Sequence, residues 1–182
     1  MNSVEGRFVE LYQIYFTHVH AYCRRRTTLD RVDDAAAEAF LIAWRRIKEV
    51  PDGPEALPWL YRAAFGVVSN SRRSRSRQQK LQEKLASAGV DYAPPADDFV
   101  VRRQQSMEIL SALGQLNKGD QEVLRLVVWE DLTHQEISLA VGISLEATRQ
   151  RLSPAKKRLA SEYDQIVKNS SVSPTAWKGG SQ

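Results

Sequence analysis

The chemistry that this sequence offers most clearly is the binding of a polyanion by clustered basic side chains. One cluster comprises Arg72, Arg73, Arg75, Arg77 and Lys80, and a second comprises Arg149, Arg151, Lys156, Lys157 and Arg158. The chain has 26 Lys and Arg against 22 Asp and Glu, so the net charge of +4 is modest and its distribution is more informative. Two separated clusters predict two contacts with nucleic acid. For either cluster alone, a solvated helix face is an equal alternative.

Arg149 and Gln150 have side chains that can read base edges, since Arg pairs with guanine and Gln with adenine. Upstream of them, Thr133-His134-Gln135-Glu136 has the pattern of a capping box and predicts the start of a helix. Gly142 can supply a tight turn, and Ser144 can cap the helix that follows. A short helix, a glycine turn and a second helix predict a helix-turn-helix that enters the major groove. The alternative to a DNA-binding helix-turn-helix is a helical hairpin whose polar face is only exposed to solvent.

The second of these helices carries an inward stripe, for which we expect Thr148, Leu152, Ala155 and Leu159. We expect a DNA-facing set made of Ser144, Glu146, Ala147, Arg149, Gln150, Arg151, Lys156, Lys157 and Arg158. Lys156, Lys157 and Arg158 are expected on phosphates, which adds affinity but no sequence choice. Pro154 lies inside the same helix and has no amide hydrogen, so we expect a kink or loosening between Gln150 and Ser153.

Helical periodicity indicates how these residues are positioned. An apolar stripe from Phe8 to Tyr22 predicts a first helix, and a second is expected from Asp30 to Lys48 with Asp30 as its cap. A third follows the Pro51-Asp52-Gly53-Pro54 segment. We therefore predict an all-α fold of two small helical bundles joined by a flexible linker, the second a helix-turn-helix domain without a wing. The expected boundaries are 1–76 for the first bundle, 77–98 for the linker, 99–166 for the helix-turn-helix domain and 167–182 for a flexible tail.

The rest of the composition argues against several classes of protein. With 42% hydrophobic and 26% charged residues, the chain can bury a core. We see neither a secretory signal nor an apolar stretch long enough to cross a bilayer, which predicts a cytoplasmic protein. Cys23 is the only cysteine, so an internal disulfide or a thiolate cluster is impossible, and we expect no metal and no cofactor.

Two stretches of the chain resemble the two modules of extracytoplasmic-function sigma factors. Residues 116–159 are similar to their minus-thirty-five-binding module, through the motifs Glu122-Val123-Leu124-Arg125-Leu126, Val141-Gly142-Ile143-Ser144 and Thr148-Arg149-Gln150-Arg151-Leu152. The first part of the chain resembles their polymerase-binding and minus-ten-melting module, through Asp33-Asp34, Glu38-Ala39-Phe40-Leu41-Ile42-Ala43-Trp44-Arg45 and Pro58-Trp59-Leu60-Tyr61-Arg62. Two family motifs in the right order are more specific than either one alone.

The resemblance implies promoter recognition for core RNA polymerase, without catalysis. It implies that polymerase is bound by Asp34, Glu38, Leu41 and Arg45. It implies that the opened minus-ten element is met by the loop 49–55 and by Arg62, Asn70, Arg72, Arg73 and Arg75. The DNA-facing set defined above would bind the minus-thirty-five element. The implied partners are core RNA polymerase, promoter DNA and an anti-sigma factor, with no small-molecule substrate and no insertion into a membrane.

Two other classes of protein compete with this interpretation. A conventional helix-turn-helix transcriptional regulator with a helical sensor domain would form a dimer and carry a ligand pocket. An enzyme such as a recombinase or nuclease would need an activated nucleophile or clustered carboxylates. The only tight acidic group is Asp33, Asp34 and Glu38, which a helix amino terminus explains more simply. We therefore place the regulator second and the enzyme last.

Overall fold

The computed structural model describes residues 4–83 and 100–171, and every regular element within these two ranges is helical. The α-helices are α1 (Val4–Arg24), α2 (Val32–Arg45), α3 (Ala56–Glu83), α4 (Val100–Gln115), α5 (Lys118–Trp129), α6 (His134–Val141) and α7 (Leu145–Ser171). Short 3-10 turns lie at Leu29–Arg31, Ile47–Glu49 and Gly53–Glu55. The all-α prediction is confirmed.

Helices α1, α2 and α3 pack against one another and form the first hydrophobic core. The apolar periodicity predicted for α2 lies inward, and its small residues let the neighbouring helices approach closely. The buried residues of α2 are Val32, Ala35, Ala36, Ala39, Phe40 and Ala43. Tyr22 of α1 stacks on Tyr61 of α3 with ring centroids 4.8 Å apart. Cys23, next to Tyr22, is fully buried in the same core.

The start of α2 differs from the sequence prediction. Asp30 lies within the 3-10 turn and does not cap α2, whose N-cap is Arg31 and whose first helical residue is Val32. Asp33 and Asp34 do occupy its first turn, where carboxylates favour the positive end of the helix dipole. At its other end α2 stops at Arg45, because a 3-10 turn at Ile47–Glu49 takes over before Lys48.

Two helices are longer than predicted. α3 continues to Glu83, so residues 77–83 of the expected linker are helical, while residues 84–98 of that linker lie outside the described ranges. Arg, Gln, Lys, Leu and Glu dominate this stretch and all have high helix propensity, and it contains no Gly or Pro that would end the helix. α7 likewise continues to Ser171, so residues 167–171 of the expected tail are helical, and residues 172–182 lie outside the described ranges.

The described residues form two compact units. The first contains α1, α2 and α3 together with residues 132–145, and the second contains the described residues from α4 up to Asp131 and those from Glu146 onward. Within the first unit, α6 packs against α3. In the second unit the buried residues include Ala112 and Leu113 of α4, Val123 and Leu126 of α5, and Leu152 of α7.

Candidate nucleic-acid interface

The predicted capping box is present at the start of α6. The Thr133 hydroxyl accepts a hydrogen bond from the Glu136 amide at 3.3 Å, and the Glu136 carboxylate accepts from the Thr133 amide at 2.8 Å. At the other end, Gly142 has φ 76° and its amide donates to the Ser138 carbonyl. A Cβ at Gly142 would lie 2.9 Å from the guanidinium of Arg62, so both backbone conformation and close approach require glycine here. The sequence prediction for this helix and turn is confirmed.

The predicted faces of α7 are also correct. The inward stripe is buried at Thr148, Leu152 and Ala155 and half-buried at Leu159. Of the DNA-facing set, Ala147 is half-buried and the remaining members are exposed. The Gln150 amide donates to the Glu146 carboxylate at 3.0 Å, one turn earlier on the same face. Glu146 and Gln150 are therefore hydrogen-bonded to each other on the exposed face of α7.

Pro154 does not interrupt α7. The α-helix runs without a break from Leu145 to Ser171, with Pro154 inside it. The kink or loosening expected between Gln150 and Ser153 stays a prediction. Proline cannot donate to the Gln150 carbonyl, yet Gln150, Ser153 and Pro154 are all exposed, so water can satisfy that carbonyl. Burial of the residues on either side of Pro154 along the inward stripe keeps the helix in place.

Arg158 occupies a different position from the other cations of α7. Its guanidinium donates to the carboxylate of Asp120 in α5, with Nε 3.0 Å from Oδ2. The Asp120 side chain is only 3% exposed, and its amide donates to the Asn117 side chain that caps α5. Arg158 therefore joins α7 to the start of α5, whereas sequence reasoning assigned it to a phosphate. Lys156 and Lys157 are exposed, and their contact with phosphates stays a prediction.

The outer face of α3 presents the residues expected at the minus-ten element. Arg62, Asn70, Arg72 and Arg73 are exposed, and Arg75 is in the helix with its side chain outside the described part. Arg72 donates to the carbonyl of Arg26 at 2.5 Å, so its guanidinium is turned toward the end of α1. Arg26 itself is 1% exposed and its guanidinium lies 3.6 Å from the Tyr22 ring centroid.

The loop between α2 and α3 is held from its inner side. Ile47 and Val50 are buried, and Arg7 of α1 donates to the backbone carbonyls of both residues. Arg46 and Glu49 form an ion pair across the loop's 3-10 turn, and this hydrogen-bonded pair lowers the pKa of Glu49. Sequence reasoning missed the contribution of Arg7, because its partners are backbone groups 40 and 43 residues away.

The residues expected to bind polymerase lie on one face of α2, and all four are exposed: Asp34, Glu38, Leu41 and Arg45. Leu41 is 44% exposed and is one of several exposed large apolar side chains in the described residues. Beside it lies an aromatic groove of about 470 Å³ lined by Phe8, Tyr12, Phe16, Phe40 and Trp44, together with Asp33, Ala37 and Leu41.

Two features are absent from residues 4–83 and 100–171. No group of three or more His, Cys, Asp or Glu side chains could hold a metal ion there. In the same ranges, no helix is long and apolar enough to cross a membrane.

Two features define the class of this protein. A helix with an exposed polar face follows a glycine turn, and a helical bundle carries an exposed cationic face. Together they are typical of a helical DNA-binding protein with two modules. The chain matches the family model for sigma-70 region 2 over residues 11–78 and the model for sigma-70 region 4 over residues 106–159. The chain therefore belongs to the sigma-70 family, and its curated relatives include an extracytoplasmic-function RNA polymerase sigma factor.

Individual relatives agree with this assignment. RNA polymerase sigma factor CnrH of Cupriavidus metallidurans is 26% identical over 141 residues, which cover 73% of each chain. The probable RNA polymerase sigma factor RfaY of Xanthomonas campestris pv. campestris is 26% identical over 71% of this chain, which spans only about a third, 33%, of that protein. Among solved structures, RpoE of Bartonella quintana, crystallised with NepR, has a TM-score of 0.64 at 16% identity and shares the fold over 92% of this chain and 98% of that one.

Proposed function

We propose that this chain confers promoter recognition on core RNA polymerase in the bacterial cytoplasm, as a binding factor and not as an enzyme. The observation that carries the proposal is that both sigma-70 regions occur in family order, and most of the expected contact residues in the described part of the chain are exposed. The conventional regulator is not favoured, because region 2 and not a sensor domain occupies the first part of the chain.

In the proposed mechanism, polymerase binds the face of α2 that carries Asp34, Glu38, Leu41 and Arg45. The exposed Leu41 supplies apolar contact, and the charged residues around it set the orientation. This docking brings the loop after α2 and the outer face of α3 to the minus-ten element. Unpairing a base costs about a few kcal/mol, which binding of the unstacked strand offsets.

The minus-thirty-five element is read by the first turns of α7 in this proposal. Arg149 and Gln150 point to solvent there, and Gln150 is hydrogen-bonded to Glu146. Lys156 and Lys157 contact phosphates, which raises affinity for any sequence. The engagement of Arg158 with Asp120 removes it from the phosphate contacts, so we propose it as a structural residue of this module.

We further propose that an anti-sigma factor holds the chain inactive. RpoE of Bartonella quintana was solved in complex with the anti-sigma factor NepR, and this chain shares its fold. The α2 face is the surface on which such a partner would compete with polymerase. The test is a competition titration in which a co-expressed candidate partner displaces labelled chain from core enzyme.

The decisive experiment for the proposed function is a binding titration on duplex promoter at physiological salt, with and without core polymerase. Each neutralised phosphate contributes about −0.9 to the log-log salt slope, so a module with few cations binds weakly alone. We expect tight, sequence-selective binding only when core enzyme is present. Selective binding by the isolated protein at about nanomolar concentration, the range of autonomous regulators, would defeat the proposal.

A further inference from the structure

We infer that Arg7 and Tyr15 of α1 are positioning residues for recognition of the minus-ten element. They fix the loop from Arg46 to Glu55, which we call the α2–α3 loop. The inference rests on the proposed function in one respect only, namely that this loop meets the opened strand.

Arg7 holds the first half of the α2–α3 loop through three contacts. Its Nη1 donates to the Ile47 carbonyl at 2.9 Å, its Nη2 donates to the Val50 carbonyl, and Nη2 also lies 2.8 Å from the Asp52 carboxylate. Carbonyls at the end of a helical turn have no partner within the turn, so a side chain must supply one. A planar guanidinium can donate in two directions at once, which an ammonium on a flexible stem does less well.

Tyr15 holds the second half of the same loop. Its hydroxyl donates to the Gly53 carbonyl at 3.2 Å, at the point where the backbone takes φ +70°. Tyr15 lies about two turns beyond Arg7 along α1, with the buried Leu11 between them. One helix therefore holds the loop at two separated points.

These contacts leave the outer side of the α2–α3 loop free to bind the opened DNA strand. Ile47 and Val50 are buried, while Asp52, Gly53, Pro54 and Glu55 are exposed. A surface loop is normally mobile, and ordering it on binding costs free energy that a pre-formed loop does not lose. Arg7 and Tyr15 act on the backbone from the inner side, so they set the shape of the loop without contacting DNA.

The test measures promoter opening by core enzyme with each variant, using 2-aminopurine fluorescence in the minus-ten element. The variants are Arg7→Met, Arg7→Lys and Tyr15→Phe. Arg24→Met is the matched control for charge, since Arg24 is an exposed cation of the same helix. Tyr163→Phe in α7 is the control for loss of a hydroxyl. Competition for core enzyme and thermal unfolding are measured on every variant.

Loss of a hydrogen bond to a charged group predicts that Arg7→Met lowers the opening equilibrium by about ten- to a hundredfold. Arg7→Lys should show most of the same defect in opening. Lysine keeps the positive charge but lacks the planar guanidinium that donates to two carbonyls at once. Tyr15→Phe should lower opening by about two- to tenfold, as expected for a neutral hydrogen bond. The preference for minus-ten sequences should broaden in these variants, while core binding and both controls stay at wild-type values.

Normal opening by Arg7→Met and Tyr15→Phe would overturn the inference, as would an opening defect that parallels weaker core binding. If Arg7→Met melts early, Arg7→Lys and Tyr15→Phe decide, since neither removes the bulk of its side chain. If the wild-type protein opens no promoter with core enzyme, the proposed function is refuted, but the positioning role of Arg7 and Tyr15 is not. In that case, hydrogen exchange of the backbone amides of Lys48, Glu49, Val50, Asp52, Gly53 and Glu55 still tests the positioning role. Faster exchange in Arg7→Met than in Arg24→Met supports the role, and equal exchange refutes it.

Discussion

The Arg158 guanidinium of α7 is paired with the nearly buried Asp120 carboxylate of α5, 38 residues earlier in the chain. Two nitrogens of the guanidinium donate to the same carboxylate oxygen, and the Asn117 side-chain amide donates to that oxygen as well, at 2.9 Å. A carboxylate with so little access to water depends on such donors, because burial without a partner disfavours its charge. The pair joins α7 to the start of α5.

Replacing Arg158 by Met should destabilise the second unit by about 1 to 3 kcal/mol, because Asp120 loses a charged donor. Lys157→Met is the matched control, since Lys157 is exposed on the same helix and should leave the free energy of unfolding unchanged. Urea unfolding of both variants checks the difference. Equal stability of the two variants would show that the pair contributes nothing measurable.

Lys157→Met and Arg149→Ala should have different effects on DNA binding. Lys157→Met is expected to weaken binding to all promoters alike and to reduce the salt slope by about one unit, as for one lost phosphate contact. Arg149→Ala should instead change promoter choice at one minus-thirty-five position and cost about 1 to 3 kcal/mol there. Both are measured by transcription from a promoter library with core enzyme. A wild-type sequence profile for Arg149→Ala would rule out base reading by this residue.

Glu38→Lys should abolish binding to core polymerase and leave the fold intact. Glu38 is exposed, whereas the neighbouring Ala39 and Phe40 are buried, so the charge reversal acts on a partner and not on the core. Gln13→Lys on the exposed face of α1 is the matched control for adding a cation. The measurement is competition with a reference sigma factor for core enzyme. Early melting of Glu38→Lys, or undiminished competition, contradicts the assignment.

The ion pair of Arg46 and Glu49 predicts a titration that can be observed directly. The hydrogen bond from Arg46 lowers the pKa of Glu49, so the folded form binds its proton less readily than the unfolded chain does. The contribution of the pair to stability is therefore present above the ordinary pKa of glutamate, and it is lost as the pH falls through the lowered value. NMR titration of the Glu49 carboxyl checks this. Arg46→Gln should return the pKa toward its ordinary range, and an unchanged value would exclude the pair as its cause.

Periodicity and capping residues predicted most of the fold, because they are local properties of the sequence. The capping box at Thr133, the glycine turn at Gly142 and the inward stripe of α7 were all correct. Local signals were less accurate at helix ends. Asp30 had the chemistry of a cap but lies in a 3-10 turn, and α3 extends past residue 76 because nothing in its sequence ends it.

The contacts that the sequence did not predict are those whose partners are distant in the chain. Arg158 belongs to a basic cluster by composition, and only the fold brings it to Asp120. Arg7 reaches backbone carbonyls, which have no sequence signature. Pro154 lies inside α7 without ending it, and the inward residues Leu152 and Ala155 on either side of it are buried.

The buried position of Cys23 gives this protein a built-in reporter of conformational opening. It is the only thiol in the chain, and its side chain is shielded by the core that α1 shares with α2 and α3. A thiol reagent can modify it only when that core opens, so the labelling rate measures how often the first unit opens under native conditions. Because the second unit has no cysteine, the readout is confined to one module without any engineering. Labelling in the presence of core enzyme would then measure how strongly a bound partner closes that module.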